Sequence, residues 1–379
     1  QCNICVIVKK IFPFLLTCIL LNSCSKEEEF VFYNTYDTSY LKNTTPITTD
    51  KIVLMEGIYS DNSDGGLGSQ FVLKWNGRNL SLYSNHRGIY AVLDYGLSLR
   101  DTSFLLAGYW RSILEPNYGT LYLKIKKDEG SIDILTKTGN PIRISGNIET
   151  NTGVERNIEW NFKRNFSTKV QNLSTYYLIA HRGGGRNSDF IPFSENSLSL
   201  LKHASSMGAN GVEIDVKLTK DKIPIIYHDD DINTRLTKKS PAMGRIEDFN
   251  WNFLNGFVEL VDGQKIPTLE EALDVLIDST TLNFVWLDNK GGTEEFFKYT
   301  LPIMYKAVQK AKSKNRKILI INGIPTEEVA GEFSKISNHR ERPSLCEISL
   351  QRSIELASEV YAPRWTLGTL ESEVSTAHS

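Results

Sequence analysis

The chain has 379 residues, with 43 Lys and Arg against 45 Asp and Glu and a formal net charge of −2. Hydrophobic residues make up 40% and charged residues 23%. This balance excludes an intrinsically disordered chain and gives no electrostatic footprint for nucleic acid. The length suits two domains able to bury cores without disulfide staples. Four of the five cysteines, Cys2, Cys5, Cys18 and Cys24, precede any globular segment. A zinc-finger reading therefore fails, and Cys346 reads as a buried apolar residue.

Residues 9–24 read KKIFPFLLTCILLNSC. Lys9 and Lys10 precede the eleven-residue, mostly apolar run Ile11–Leu21. That run is short of the about 20 apolar residues that cross a bilayer. Charged start, short apolar centre and small residue before a cleavage point describe a secretory signal. Leu21-Asn22-Ser23-Cys24 resembles the lipobox of bacterial lipoproteins, which implies a lipidated Cys24. The acidic stretch Ser25–Glu29 resembles export signals of surface lipoproteins. The expected location is the cell envelope, on the outer membrane, facing the periplasm or the exterior. A signal over 1–24 and a polar linker over 25–40 follow.

Short runs rich in Val, Ile, Tyr, Leu and Trp fill the next 130 or so residues. They include Phe71–Trp75, Leu80–Tyr83, Tyr90–Leu93, Phe104–Trp110 and Thr120–Ile125. Asn76-Gly77, Asp64-Gly65-Gly66 and Asp128-Glu129-Gly130 supply turns between such runs. The pattern predicts an all-β sandwich or barrel over 41–172. Tyr90, Tyr109, Trp110 and Tyr118 read as core aromatics, with a ligand groove as the other reading.

From Tyr176 onward, strands alternate with helices. Tyr177–Ala180, Val212–Val216, Ile223–Tyr227, Phe284–Leu287 and Ile318–Ile321 read as strands. Ser197–Met207, Leu269–Ile277, Glu294–Ala311 and Glu327–Phe333 read as helices. Repeated βα units predict a parallel sheet with helices outside, over 173–379. In a (β/α)8 barrel, chemistry gathers where the strands end. Ala180-His181-Arg182-Gly183, Glu213-Ile214-Asp215, His228-Asp229 and Asp288-Asn289-Lys290 all follow or end apolar strands. Strand alternation puts Glu213 with Asp215, and Asp288 with Lys290, on one face. Ser194-Glu195-Asn196 opens a helix between the first two strands.

Gathering Glu195, Glu213, Asp215, Asp229 and Asp288 is costly unless protons or a cation intervene. A divalent metal held by oxygen ligands is the simplest solution. Two histidines beside it supply a general acid and a general base. Metal, Arg182 and Lys290 together neutralise a bound anion, and phosphate is the obvious candidate.

Each motif alone arises by chance, but their order is specific. His181-Arg182-Gly183, Ser194-Glu195-Asn196, Gly208-Ala209-Asn210-Gly211-Val212-Glu213-Ile214-Asp215-Val216, Thr219-Lys220-Asp221-Lys222, His228-Asp229, Ile266-Pro267-Thr268-Leu269-Glu270-Glu271 and Asp288-Asn289-Lys290 occur in sequence. This stretch resembles the glycerophosphodiester phosphodiesterase family over about 176–370. The resemblance implies a metal-dependent hydrolase of small glycerophosphodiesters, yielding glycerol 3-phosphate and an alcohol. It implies His181 and His228 as the acid/base pair. It implies Glu213, Asp215 and Asp288 as ligands of Ca2+ or Mg2+. Arg182 and Lys290 would bind phosphate, with Glu195 and Asp229 in support. A related activity on phosphoinositol or lysophospholipids, and a non-catalytic surface-binding lipoprotein, are the alternatives.

Five departures stand out. Asp288 replaces the family's usual glutamate, Ser194 its proline and Lys222 its turn glycine. Gly183–Gly185 lengthen the first loop, either to approach phosphate or as a flexible turn. Tyr176–Ser379 spans 204 residues, against about 250 for a (β/α)8 barrel. Val360–Trp365 reads as a late strand and Glu371–Ser379 as a final helix. The barrel is thus expected to be incomplete at its C-terminus, with Tyr177–Ala180 lacking a partner on one side. Trp365-Thr366 is not expected to be the family's Trp-Thr pair.

Overall fold

The computed structural model describes residues 36–379 except 64–65, 85–87, 113–114, 116, 140, 167–176, 188–190, 292, 365–366, 368–369 and 378–379. The signal and lipobox readings, Trp365-Thr366, His86 and His378 lie outside the described residues.

The first half builds β1 (Thr44–Thr45), β2 (Gly57–Asp61), β3 (Gln70–Trp75), β4 (Leu80–Ser84), β5 (Ile89–Ser98), β6 (Phe104–Ser112), β7 (Tyr118–Ile125), β8 (Arg143–Thr150) and β9 (Glu155–Arg164). From β2 to β9 each strand pairs antiparallel with the next, and β9 returns to β2. The result is a closed up-and-down barrel of eight strands, with β1 added on β5. Closure decides between the sandwich and barrel readings and removes the exposed edges of an open sheet. Alternate residues fill the interior, among them Tyr59, Phe71, Leu73, Leu82, Leu93, Leu106, Leu123 and Trp160. Tyr109 and Trp110 are also buried. The expected turn after β3 forms because Asn76 Oδ1 accepts the N–H groups of Arg78 (2.9 Å) and Asn79 (2.8 Å), with Gly77 left-handed at φ +101°.

Strands β5 and β6 approach so closely that a side chain at Gly108 has no room. A Cβ there would lie 1.9 Å from the Val92 carbonyl oxygen. Gly108→Ala is therefore expected to destabilise the chain by about 1–3 kcal/mol, read as a lower urea midpoint.

The second half contributes β10 (Ile179–Ala180), β11 (Gly211–Leu218), β12 (Pro224–Ile226), the small hairpin β13 (Asp231–Ile232) and β14 (Gly244–Arg245), β15 (Phe284–Asn289), β16 (Leu319–Ile324), β17 (Ser344–Cys346) and β18 (Val360–Tyr361). The parallel order is β10-β11-β15-β16-β17-β18. Every residue of β11 is buried, as a central parallel strand covered on both faces requires. Helix Leu269–Ser279 starts at a capping box between Thr268 and Glu271. It lays Leu269, Ala272, Leu273, Leu276 and Ile277 on the sheet, the spacing of one helical face. Helices Glu294–Ser313 and Glu327–Ser334 join the same core.

Three expectations change. Ile223–Tyr227 contributes not another parallel strand but β12, antiparallel to β11. A tight turn sends the chain back: Thr219 N–H donates to Ile223 O, and Lys222 N–H to Thr219 O. Lys222 takes the left-handed conformation, φ +66°, where the family pattern has glycine. The first and last expected strands shrink to two residues each, Ile179–Ala180 and Val360–Tyr361. Ser344–Cys346 and helix Leu350–Leu356 were not expected. Among the described residues the six parallel strands form an open sheet rather than a closed (β/α)8 barrel, with β10 paired only to β11. Cys346 is fully buried, as read from the sequence.

Both sheets belong to one compact unit, Tyr33–Ser379. Tyr109 Oη donates to Ser206 O (2.6 Å), and Asn76 Nδ2 to Gly208 O (2.7 Å), across the two halves.

Candidate active site

Parallel pairing carries His181, Glu213, Asp215 and Asp288 to one edge of the sheet. His181-Arg182-Gly183 forms a single turn directly after β10. Gly183 and Gly184 take φ of +84° and +150°, where side chains are strained, and lie against the side-chain ends of Leu200, Leu201 and Met207. On β11 and β15, Asp215 is in register with Asp288. One carboxylate oxygen from each of Glu213, Asp215 and Asp288 lies within 4.8 Å of the others.

Glu213 and Asp215 are buried. Burial, then the charges of Asp215 and Asp288, push the Glu213 carboxyl well above its usual range. Lys290 Nζ bridges Asp215 Oδ1 (3.1 Å) and Asp288 Oδ2 (2.5 Å). Burial alone would lower the Lys290 ammonium, but Asp215 and Asp288 outweigh it and hold it above its usual range. Three carboxylates against the Lys290 ammonium and the Arg182 guanidinium, whose Nε lies 3.8 Å from Asp215 Oδ2, still leave a negative charge when all are ionised. Asp288 Oδ1 is buried and meets no donor among the described residues. These observations fit a divalent cation, which takes oxygen ligands and cancels that charge. The three residues can hold a metal ion, and the shorter Asp288 still reaches the cluster.

Asn196 orients the cluster from behind. Its Nδ2 donates to Asp215 Oδ2 (2.7 Å), and its Oδ1 accepts from the Asp215 N–H (3.2 Å). Asn196→Ala leaves a buried carboxylate oxygen without this donor. It is expected to cost about 1–3 kcal/mol of stability, measured by urea denaturation.

Arg182 links the carboxylates to the second histidine. Its backbone N–H donates to Glu213 Oε2 (2.7 Å). Nη1 donates to Glu195 Oε1 (2.8 Å), and Nη2 lies 2.7 Å from His228 Nε2. Arginine can only donate, so His228 Nε2 accepts. The imidazole is therefore neutral here, and its Nδ1–H donates to Asp229 Oδ1 (2.7 Å). Arg182 Nε is buried and makes no hydrogen bond among the described residues; it lies 3.8 Å from Asp215 Oδ2 as an ion pair.

Behind this chain stands Arg235. It donates to Glu195 Oε2 (2.8 Å) and to Asp229 Oδ1 (2.6 Å). Burial raises the Asp229 carboxyl, but hydrogen bonds from Arg235, Asn233 and His228 outweigh it and hold it below the usual range. Asp229 is thus a fixed anion that orients His228.

His181 is set apart. Its side chain is 61% exposed, and Nε2 lies 3.9 Å from Glu213 Oε2, beyond hydrogen-bond reach. Partial burial and the Arg182 charge lower its pKa below the usual 6.5. His203 and His339 pack instead on Phe193 and Phe333.

All nine residues singled out in the sequence thus converge on one strand-end edge. The sequence reading missed Asn196, Asn233, Arg235 and Glu347. Asn196 sat inside a quoted motif as an acceptor–donor pair. The other three carry no local pattern. Glu347 follows β17, with its carboxyl pushed up to about 7 by burial and then by Asp288, against the pull of Arg364 and Lys290.

With this geometry in hand, the profile of the glycerophosphoryl diester phosphodiesterase family matches residues 181–323. The family's pattern is thus present over that stretch of the chain. A glycerophosphodiester phosphodiesterase of Caldanaerobacter subterraneus subsp. tengcongensis is 32% identical over 111 residues, covering 28% of this chain and 42% of the relative. Human glycerophosphodiester phosphodiesterase 1 is 33% identical over 107 residues, covering 25% of this chain and 28% of the relative. The matched region thus spans less than half the length of either relative. Among solved structures, an Oleispira antarctica phosphodiesterase in complex with the product sn-glycerol-3-phosphate is similar with a TM-score of 0.41 and 22% identity, covering 53% of this chain and 80% of that one. A glycerophosphodiester phosphodiesterase from Thermotoga maritima gives a TM-score of 0.37 and 23% identity, covering 53% of this chain and 79% of that one.

Proposed function

We propose that the chain hydrolyses glycerophosphodiesters to glycerol 3-phosphate and an alcohol. The observation that carries this reading is the carboxylate triad Glu213–Asp215–Asp288 facing the Arg182–His228–Asp229 chain at one edge. Glu213, Asp215 and Asp288 would hold a divalent cation, Ca2+ or Mg2+, which when bound would supply positive charge for an anionic phosphodiester. Arg182 and Lys290 bind the same anion from the protein side.

Proton movement falls to the histidines. His228 offers a neutral Nε2 and takes the proton of a substrate glycerol hydroxyl as its oxygen bonds to phosphorus. Asp229 stabilises the imidazolium that forms. As the bond from phosphorus to the alcohol oxygen breaks, a protonated His181 donates to that oxygen. Water then opens the cyclic phosphate with the two proton transfers reversed. Glu195 and Arg235 hold Arg182 and Asp229 in place and move no proton.

The test is release of glycerol 3-phosphate by the purified chain from glycerophosphocholine and glycerophosphoethanolamine, with Ca2+ or Mg2+. No release with either metal overturns the reading.

We also propose lipidation at Cys24 and attachment to the outer membrane, supported by the sequence Lys9–Cys24. Labelled palmitate should enter the wild-type chain in expressing bacteria and not Cys24→Ala. An unlabelled wild type overturns the proposal.

A further inference from the structure

Glu347 stands on the same strand-end edge, past the carboxylate triad. The sheet order places β15 and β16 between β11 and β17. Cys346 is in register with Ile324 of β16, and the Glu347 N–H donates to the Ile324 carbonyl (3.1 Å). The backbone is therefore fixed where β17 ends. Its charged neighbours are Asp288, Lys290 and Arg364, so its carboxyl shares the electrostatic field of the site. Yet Lys290 is committed to Asp215 and Asp288. Glu347 Oε1 is shielded from solvent and meets no donor among the described residues. A shielded carboxylate oxygen without a donor is costly, and the cost is relieved when a ligand brings one.

The mechanism above uses nothing on this side. His228, Asp229 and Arg235 all lie toward β12, whereas Glu347 lies beyond Asp288 in the opposite direction along the sheet. A phosphodiester carries two arms on one phosphorus. An arm directed away from His228 would run toward the ends of β16 and β17, which follow β15 in the sheet.

We propose that Glu347 is a specificity-determining residue that accepts a hydrogen bond from a hydroxyl or ammonium group on that arm. This rests on the function proposed above. The donor is either a hydroxyl of the glycerol common to all substrates or a group on the alcohol that leaves.

Three diesters separate these sources when assayed with the full chain and Ca2+ or Mg2+. Glycerophosphoethanolamine carries an ammonium donor on its head group, and glycerophosphoglycerol carries hydroxyls. The trimethylammonium of glycerophosphocholine has no donor. Loss of a hydrogen bond to a charged group corresponds to roughly 10–100-fold in affinity. Glu347→Ala should raise KM by that factor with kcat little changed, because the contact is remote from the reacting bonds. A rise for ethanolamine and glycerol head groups only assigns the donor to the leaving alcohol. An equal rise for all three assigns it to the shared glycerol. If Glu347→Ala does not fold, the isosteric Glu347→Gln is read in the same way, through its loss of charge. Unchanged KM for all three diesters in a folded variant, or a fall in kcat alone, overturns the inference while leaving the hydrolase reading intact. A wild-type chain inactive on all three overturns both.

Discussion

Replacing His228 with alanine is expected to lower turnover of glycerophosphodiesters by roughly 10²–10⁴-fold, the usual worth of a positioned general base. The expectation rests on a tautomer rather than on mere proximity. The Arg182 guanidinium occupies Nε2 as a donor, so the ring proton must sit on Nδ1, where Asp229 accepts it. In the proposed mechanism the Nε2 lone pair turns to the substrate hydroxyl once Arg182 engages phosphate. Asp229→Asn should lose a comparable factor, because an amide can donate to Nδ1 and favour the wrong tautomer. His181→Ala should fall in the same range, through the departing alcohol. Its losses should be smallest for diesters with acidic alcohols such as p-nitrophenol, which leave without a proton. His228→Ala should show no such rescue. Steady-state kinetics on natural and activated diesters reads this contrast. Equal rescue of both variants would remove the division of roles. The exposed His181 ring belongs to no hydrophobic core cluster, so His181→Ala should hold the melting temperature within about 2 °C, whereas His228→Ala also removes the bonds to Arg182 and Asp229 and should lower it further.

The strand-end chemistry was legible because it rides on local patterns. Glu213 and Asp215 alternate within an apolar run, and a parallel sheet then forces them to share an edge with Asp288. Thr268 and Glu271 announce a helix start by their spacing alone. The five named strands of the first half were likewise legible from alternation and turn residues such as Asn76-Gly77. Strands β8 and β9 were harder to name, since Arg143, Asn147, Glu149, Glu155, Asn157 and Glu159 fill their outer faces. Closure of the barrel depends on β9 meeting β2, about a hundred residues earlier, and no local signal carries it. The direction of β12 hinges on one turn at Thr219–Lys222, where a lysine adopts a conformation that the sequence alone does not advertise. Arg235 and Asn233 reach Asp229 from an irregular loop, so no periodicity marked them. Glu347 follows a strand of three residues, too short to show alternation.

Removal of divalent metal should abolish turnover and also change how stability depends on pH. The folded Glu213 carboxyl has its pKa raised above the usual 4.5, first by burial and then by Asp215 and Asp288. A raised acid favours the folded state fully below its unfolded pKa and loses that contribution as pH climbs through the folded value. In chelator, the melting temperature should therefore decline as pH rises from about 5 toward 8. Ca2+ or Mg2+ binds the ionised carboxylates and should reverse the trend, because the proton then competes with the metal. At a hundred times the dissociation constant the cation adds about 2.7 kcal/mol, or about 3–4 °C for a chain of this size. Glu213→Gln should flatten the pH slope in chelator, because its side chain is neutral throughout. It should also blunt the metal-induced shift and abolish turnover. Asp288→Asn should retain part of the slope, since Asp215 still faces Glu213, while weakening the metal-induced shift. Scanning fluorimetry across pH, with and without metal, reads all of these arms. A wild-type melting temperature indifferent to both cations at every pH would falsify metal binding by the triad, whatever the turnover assay reports.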